Sequence, residues 1–414
     1  MRIETICTGD ELLTGLTADT NSPFFQRLLL ERCALQVRRC VVVPDAREDI
    51  IEALNAAAAR CDVVLVSGGL GPTADDLTAE CAAEASGVEL LEDPAVLVHL
   101  EARYLKRNFK FTPNNRRQAR VPAGAEVVLN AEGSAPLFIQ RRGSCTLFFV
   151  PGVPREYRHL VETHVVPRIA ELGGVRDQSA LRVLKTLGLA ESHLDALVRP
   201  LFEKHPKVTF GFRTHAPENH LKLMARAASL AEAEVAVAAA EAESRSVLGA
   251  SVFGRDDDSI ASVVLARLRA ARQTLSLAES CTGGLVSSLF TAVPGASEVL
   301  VGAAITYTEP TKTLWAKVSP HLLKTQSAVS EAVAKAMATG IRRETGSTWG
   351  LSVTGYAGPT GGDAQNPVGT VYLGLSREGL EQVERHTFFG DRERVRSFAA
   401  STVIDLLRRT LVLS

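Results

Sequence analysis

Along the first third of the chain the hydrophobic period switches between two and about 3.6, the signatures of strand and helix. It predicts a strand over Ile3 to Thr8, a helix over about Asp19 to Cys33, a strand over Gln36 to Val43, a helix over Arg47 to Ala59 and an apolar strand over Asp62 to Val66. Strands alternating with helices predict a parallel or mostly parallel sheet covered on both faces, and such sheets bind ligands beyond the carboxyl ends of their strands. A helix over Pro154 to Leu172 then runs into Gly173-Gly174-Val175-Arg176-Asp177, which reads as a linker. From Ala180 to Phe253 the pattern gives a strand, a helix opened by Glu191-Ser192, two strands around Val208 to Phe212 and His220 to Ala227, and an Ala/Glu-rich helix from Leu230. That is a compact α+β unit.

The last third returns to α/β alternation. Ser259 caps a helix with apolar residues at Ile260, Val263, Val264 and Leu268, and the apolar run Thr274 to Ala278 reads as a strand. It breaks into Glu279-Ser280-Cys281-Thr282-Gly283-Gly284, and a helical pattern starts near Gly283. Further elements are a strand over Val299 to Tyr307, a short helix opened by Thr308 to Lys312, a helix from Ser330, a strand over Gly350 to Thr354, a strand pair, and a last helix opened by Gly390-Asp391-Arg392. Ser280, Tyr307, Lys312, Thr354, Arg392 and Arg396 therefore fall at ends of elements where one pocket can collect them. The amides that open a helix have no internal partners, so Ser280 can face a carbonyl or a phosphate there; as an alternative, Ser280 or Thr282 serves only as an N-cap.

Composition narrows the class. The 414 residues suffice for two to three domains, with 46% apolar and 22% charged residues and a net charge of −1. Near-neutrality gives no overall reason to expect nucleic acid or membrane as the main partner. The seven cysteines are odd in number and scattered, without a C-x-x-C pair, and read as reduced thiols. With neither a basic leader nor an apolar run of about 18 residues, the expectation is a soluble cytoplasmic protein.

In the N-terminal third two loops lie at strand ends. One is Gly9-Asp10-Glu11-Leu12-Leu13; the other runs from Ser67 through Gly68, Gly69, Gly71 and Thr73 to Asp75-Asp76 and Thr78. The glycines let backbone approach a phosphate, and the carboxylates Asp10, Glu11, Asp75 and Asp76 make sense beside one if a hard divalent cation bridges them. The plainer reading is that Asp75 and Asp76 only favour a helix dipole. Asn21, and Asn114, Asn115, Arg116 and Gln118 in a polar stretch, are candidate ligand contacts, although a solvated loop explains that stretch almost as well.

These loops, with Asn21 and Pro151-Gly152-Val153-Pro154-Arg155-Glu156, resemble the CinA proteins, whose first domain is similar to the molybdopterin-binding fold of MoaB and MogA. The resemblance implies a three-layer α/β domain over 1–172 that acts as a metal-dependent pyrophosphatase on ADP-ribose, producing AMP and ribose 5-phosphate. It further implies a divalent metal of the magnesium or cobalt type held by Asp10, Glu11, Asp75 and Asp76, with a monovalent cation as an addition. Gly68, Gly69, Gly71, Thr73, Asn21 and Asn115 would contact the nucleotide. Where the family has Gly-Thr-Ala-Pro-Gly this chain has Gly133-Ser134-Ala135-Pro136-Leu137, and the bulk of Leu137 is expected to narrow that edge of the site. Over 178–254 the family carries a small KH-like module. The Gly-x-x-Gly loop that clamps RNA is absent here, which favours a spacer or dimer-building role.

The segment 256–414 resembles the nicotinamide-nucleotide amidase domain, alone in PncC and fused in CinA, through Ala278 to Gly284, Thr306-Tyr307 with Lys312, Val353-Thr354-Gly355 and Gly390-Asp391-Arg392 with Val395-Arg396. The implied reaction turns nicotinamide mononucleotide and water into nicotinate mononucleotide and ammonia, with no cofactor. Ser280 would attack the carboxamide and Lys312 or Tyr307 would act as base, with Thr354 in the catalytic set. Thr282, Gly283, Gly284 and Gly355 would line the site, amides at the start of the Gly283 helix would hold the oxyanion, and Arg392 and Arg396 would hold the phosphate. An ordinary lysine is neutral about once in 2,500 at pH 7, so a lysine base needs a depressed pKa; a substrate pyridinium would help to depress it. The whole reads as a two-activity enzyme of pyridine-nucleotide salvage, expected as a homodimer. The alternatives are a chain with only the amidase active over a nucleotide-binding first domain, and an accessory factor in competence or recombination.

Overall fold

The computed structural model describes residues 1–174 and 177–413, so Val175 and Arg176 of the expected linker lie outside the described residues. The chain forms two compact units, Met1–Ala180 with Arg226–Glu234, and Leu181–Ala225 with Val235–Ser414.

The first unit is built on a six-stranded sheet in the order Val37–Val43, Ile3–Thr8, Val63–Ser67, Cys145–Val150, Leu137–Arg142, Glu126–Val128. The first four run parallel, Leu137–Arg142 runs antiparallel to them, and Glu126–Val128 is antiparallel to Leu137–Arg142 in turn. Ile3–Thr8 is buried at every position because helices cover both faces. On one side Phe25, Leu29, Tyr157 and Leu160 pack on Leu65 and Phe148; on the other Ile50, Leu54 and Cys81 pack on Val64 and Val66. This is the expected three-layer arrangement. The helix expected over Pro154 to Leu172 is interrupted by a π turn, Val161–Val165. Pro167 has no N–H to give the preceding turn, and the backbone widens there. Leu137 is fully buried in the core rather than at a cleft edge, so its bulk narrows nothing.

In the second unit a four-stranded sheet in the order Val208–His215, Glu218–Ala227, Gln178–Leu187, Val252–Arg255 forms the small module. Leu187 and Phe253 from this module share one hydrophobic core with the last domain. That domain holds a five-stranded sheet in the order Leu300–Ile305, Leu275–Glu279, Trp349–Gly355, Thr370–Arg377, Leu380–Thr387, of which the first three are parallel. Ser259 caps the helix Ile260–Ala270 as expected, and the helix expected from Ser330 is Glu331–Thr345, with Ser330 as its cap. The parallel strands end together at Glu279, Ile305 and Gly355, and this end carries Ser280. Among the described residues no helix is long and apolar enough to cross a membrane.

Candidate active sites

Ser280 leaves the strand Leu275–Glu279, its amide donating to the Val353 carbonyl of the neighbouring strand at 2.9 Å. Gly283 and Gly284 follow at φ 57° and 94°, a region that side chains disfavour, and turn the chain into the helix Leu285–Thr291. Glu279 holds this start. Its carboxylate, 1% exposed, accepts from the amides of Gly284 (3.0 Å), Val286 (3.1 Å) and Ser287 (2.8 Å) and from the Ser287 hydroxyl. Sequence reasoning missed Glu279, although a carboxylate ending an apolar strand just before a helix start is a readable sign of such a clamp. The consequence is a correction: the helix-opening amides assigned to an oxyanion are already satisfied by Glu279. The turn amides ahead of the clamp are those of Cys281 and Thr282.

Lys312 lies on the helix Glu309–Ala316, which Thr308 and Thr311 cap reciprocally, with Pro310 in the first turn where a missing N–H costs nothing. Its side chain is only 2% exposed. Nζ stands 2.8 Å from Ser280 Oγ and donates to the Thr306 carbonyl at 2.9 Å. Both partners are uncharged, so burial dominates and pushes the amine down from 10.5 to about 8. About one amine in ten is then neutral at pH 7. Next to Ser280, burial pushes the Cys281 thiol up to about 12, which leaves it inert as a nucleophile.

The other expected residues divide. Tyr307 is half-exposed, and its hydroxyl accepts from Arg392 Nη2 at 2.7 Å, while Arg392 Nη1 donates to the Gly358 carbonyl at 2.8 Å. Of the two bases left open, Lys312 is the one in contact with Ser280. Thr354 is fully buried and donates to the Ala328 carbonyl at 2.8 Å, bracing a strand end. A Cβ on Gly355 would lie 2.6 Å from the Thr370 carbonyl, so that glycine serves close strand packing. Arg396 is committed to the nucleophile turn through the Thr282 carbonyl, with Nη2 at 2.7 Å. The Thr282 hydroxyl, on a residue without exposure, has no hydrogen-bond partner among the described residues.

In the first unit a cleft of about 540 Å³ opens at the carboxyl ends of the parallel strands. Gly68 and Gly69 line it at φ 103° and 64°, and a Cβ on Gly69 would lie 2.2 Å from Thr78 Oγ1. Asp76 shapes the loop: Oδ1 accepts from the Gly71 amide at 2.7 Å, and Oδ2 from the Thr73 amide and hydroxyl at 2.8 and 2.6 Å. Thr73 and Asp76 thus serve each other. Asn21 donates to the Gly152 carbonyl at 2.7 Å and Gln118 to Ser134 Oγ at 3.0 Å; each lines the cleft with a buried amide oxygen that has no partner among the described residues. Asn115 is spent on Thr112 and Tyr104, and Arg116 pairs with Glu92, so neither matches its expected role as a ligand contact. Asn114 accepts from the Thr112 hydroxyl.

Asp10 and Asp45 exchange amide-to-carboxylate bonds of 3.3 Å. Burial, with the charges of Asp10, Glu11 and Asp75, pushes the Asp45 carboxyl up. Among the described residues none of these carboxylates forms an ion pair, and the donors are all oxygen, a set suited to a hard cation. Among the described residues no three such side chains converge tightly enough to hold an ion alone. Magnesium-type ions fit that situation, since they bind through one or two carboxylates, waters and the phosphates of a substrate. Asp45 was not among the residues expected from sequence.

Comparison with known proteins matches three families in succession: a probable molybdopterin binding domain over residues 4–171, the damage-inducible protein CinA KH domain over 181–254, and the CinA C-terminal domain over 257–411. A CinA-like protein of Myxococcus xanthus is 53% identical over 416 residues, covering 100% of this chain and 99% of its own. One from Anaeromyxobacter sp. is 43% identical and covers 99% of both chains. A solved CinA superfamily protein from Klebsiella pneumoniae is 31% identical with a TM-score of 0.37, covering 37% of this chain and 97% of its own. Identity that runs the full length, across all three modules in the same order, places this chain in the CinA family.

Proposed function

We propose that the last domain hydrolyses the carboxamide of nicotinamide mononucleotide. The observation that carries this reading is the buried Lys312 amine 2.8 Å from Ser280 Oγ, with its pKa lowered to about 8. In this reading neutral Lys312 takes the hydroxyl proton as Ser280 attacks the carboxamide carbon, then returns it to the departing ammonia. Water hydrolyses the acyl-enzyme by the same route. The amides of Cys281 and Thr282 face the oxyanion, because Glu279 occupies those further on. Arg392 stands at the rim as the phosphate contact, and Arg396 fixes the turn.

The test is ammonia and nicotinate mononucleotide release by the purified chain, and failure to release either would overturn the reading. Because the base must be neutral, kcat/KM should rise with pH and level off above about 8. A profile flat from pH 6 to 9 would remove Lys312 as base.

For the first domain we propose metal-dependent hydrolysis of ADP-ribose to AMP and ribose 5-phosphate, with Asp10, Glu11, Asp45 and Asp75 around the cation and the Gly68-Gly69 loop against the pyrophosphate. A bound divalent cation would supply charge neutralisation to the pyrophosphate. The unpartnered oxygens of Asn21 and Gln118 accept from hydroxyl or amino groups of the nucleotide. Adding EDTA should abolish AMP release from ADP-ribose and leave ammonia release from nicotinamide mononucleotide unchanged. Loss of both would tie the metal to the wrong domain.

A further inference from the structure

A second cavity in the C-terminal unit, about 670 Å³, lies between the small four-stranded module and the last helix, away from Ser280. One wall is aromatic. The rings of His386 and Phe388 are parallel within 1° with centroids 5.5 Å apart, and Phe398 lies 5.9 Å from Phe388. Charge at the cavity is asymmetric. Arg409 is bonded to Asp405 and Glu384, so these charges are compensated, while Glu218 on the small module is hydrogen-bonded to His220 at 2.8 Å. Arg394 is different: its guanidinium lies 4.8 Å over the Phe398 ring, and among the described residues no carboxylate pairs with it. A flat apolar wall beside an uncompensated guanidinium selects a ligand with an aromatic plane and an anionic group. The opposite rim is set by Thr214 and Asn219 of the small module, whose hydroxyl and amide are bonded to Glu191, to each other and to the Leu189 carbonyl, which fixes its shape.

We propose that this cavity binds a nucleoside monophosphate, its base against Phe388 and His386 and its phosphate on Arg394. Arg394 and the pair Arg392 and Arg396 project from different sides of one helix, so the site is separate from the nucleophile turn.

The experiment is calorimetric titration of the full-length chain with AMP and, as a control without a ring, ribose 5-phosphate. The expected result is a class of AMP sites, distinct from any product binding in the first-domain cleft, that weakens at least tenfold in both Arg394→Glu and Arg394→Met. Arg394→Met keeps the packing on Phe398 and loses only the charge. The same class should persist in Ser280→Ala and Asp75→Asn, and ribose 5-phosphate should bind it at least tenfold more weakly. No heat with AMP, isotherms of both Arg394 variants that superimpose on the parent, or heat lost in Ser280→Ala or Asp75→Asn would each overturn the proposal.

Discussion

Lys312→Met should lower ammonia release from nicotinamide mononucleotide by about ten thousand-fold, at the upper end of what a general base contributes. Ser280→Ala should lose a similar factor, and the double variant should be no worse than either alone, because nucleophile and base act as one unit. Additive losses would mean that the two side chains work separately, against their 2.8 Å contact. The same substitution should raise stability at neutral pH. A fall of the amine from 10.5 to about 8 corresponds to about 3 kcal/mol of unfavourable burial. The unfolded chain binds the proton more tightly than the folded one, so this penalty is full below about 8 and fades as the pH rises to 10.5. Lys312→Met has no such penalty. Denaturant melts of both proteins should therefore show a gap in favour of the variant near pH 7 that shrinks by about 3 kcal/mol by pH 10.5. A gap that does not change with pH would mean the amine is not destabilised by burial.

How far such a site can be read from sequence depends on what each residue type commits to. Periodicity gave the strand before Ser280 and the helix after it, because burial on a sheet and on a helix face leaves different repeats. Ser259 was legible as a cap for a local reason: its partner lies three residues on. Nothing local distinguished Tyr307 from Lys312. Both follow the same strand, and only packing shows that one is buried against Ser280 while the other meets Arg392 in solvent. Arg396 and Asn115 misled in the same way, since a polar side chain near a predicted pocket gives no sign of which carbonyl or hydroxyl takes its donors. The antiparallel pairing of Leu137–Arg142 with Cys145–Val150 was also unread, and Leu137 on that strand packs into the core.

The position of Lys312 rests on glycines that no motif marks. The helix Glu331–Thr345 approaches its neighbours backbone to backbone: a Cβ on Gly350 would lie 2.2 Å from the Ala338 carbonyl, and one on Gly374 2.6 Å from the Ala334 carbonyl. On its other side a Cβ on Gly340 would lie 1.7 Å from the carbonyl of Ala316, the last residue of the helix that carries Lys312. Neither partner is a flexible side-chain tip, so Gly340→Ala must push two helices apart. The expected cost is about 4 kcal/mol, or a fall of about 10 °C in Tm by calorimetry. Gly346→Ala is the control. Gly346 sits at φ 68° with nothing within 4 Å, so only backbone strain applies and the cost should be about 1 kcal/mol. At temperatures where Gly340→Ala remains folded, the displaced helix should carry the amine away from Ser280, and kcat should fall by at least tenfold while a control such as Gly346→Ala keeps its rate. Equal stabilities of the two variants would show that the helices are not held by this contact.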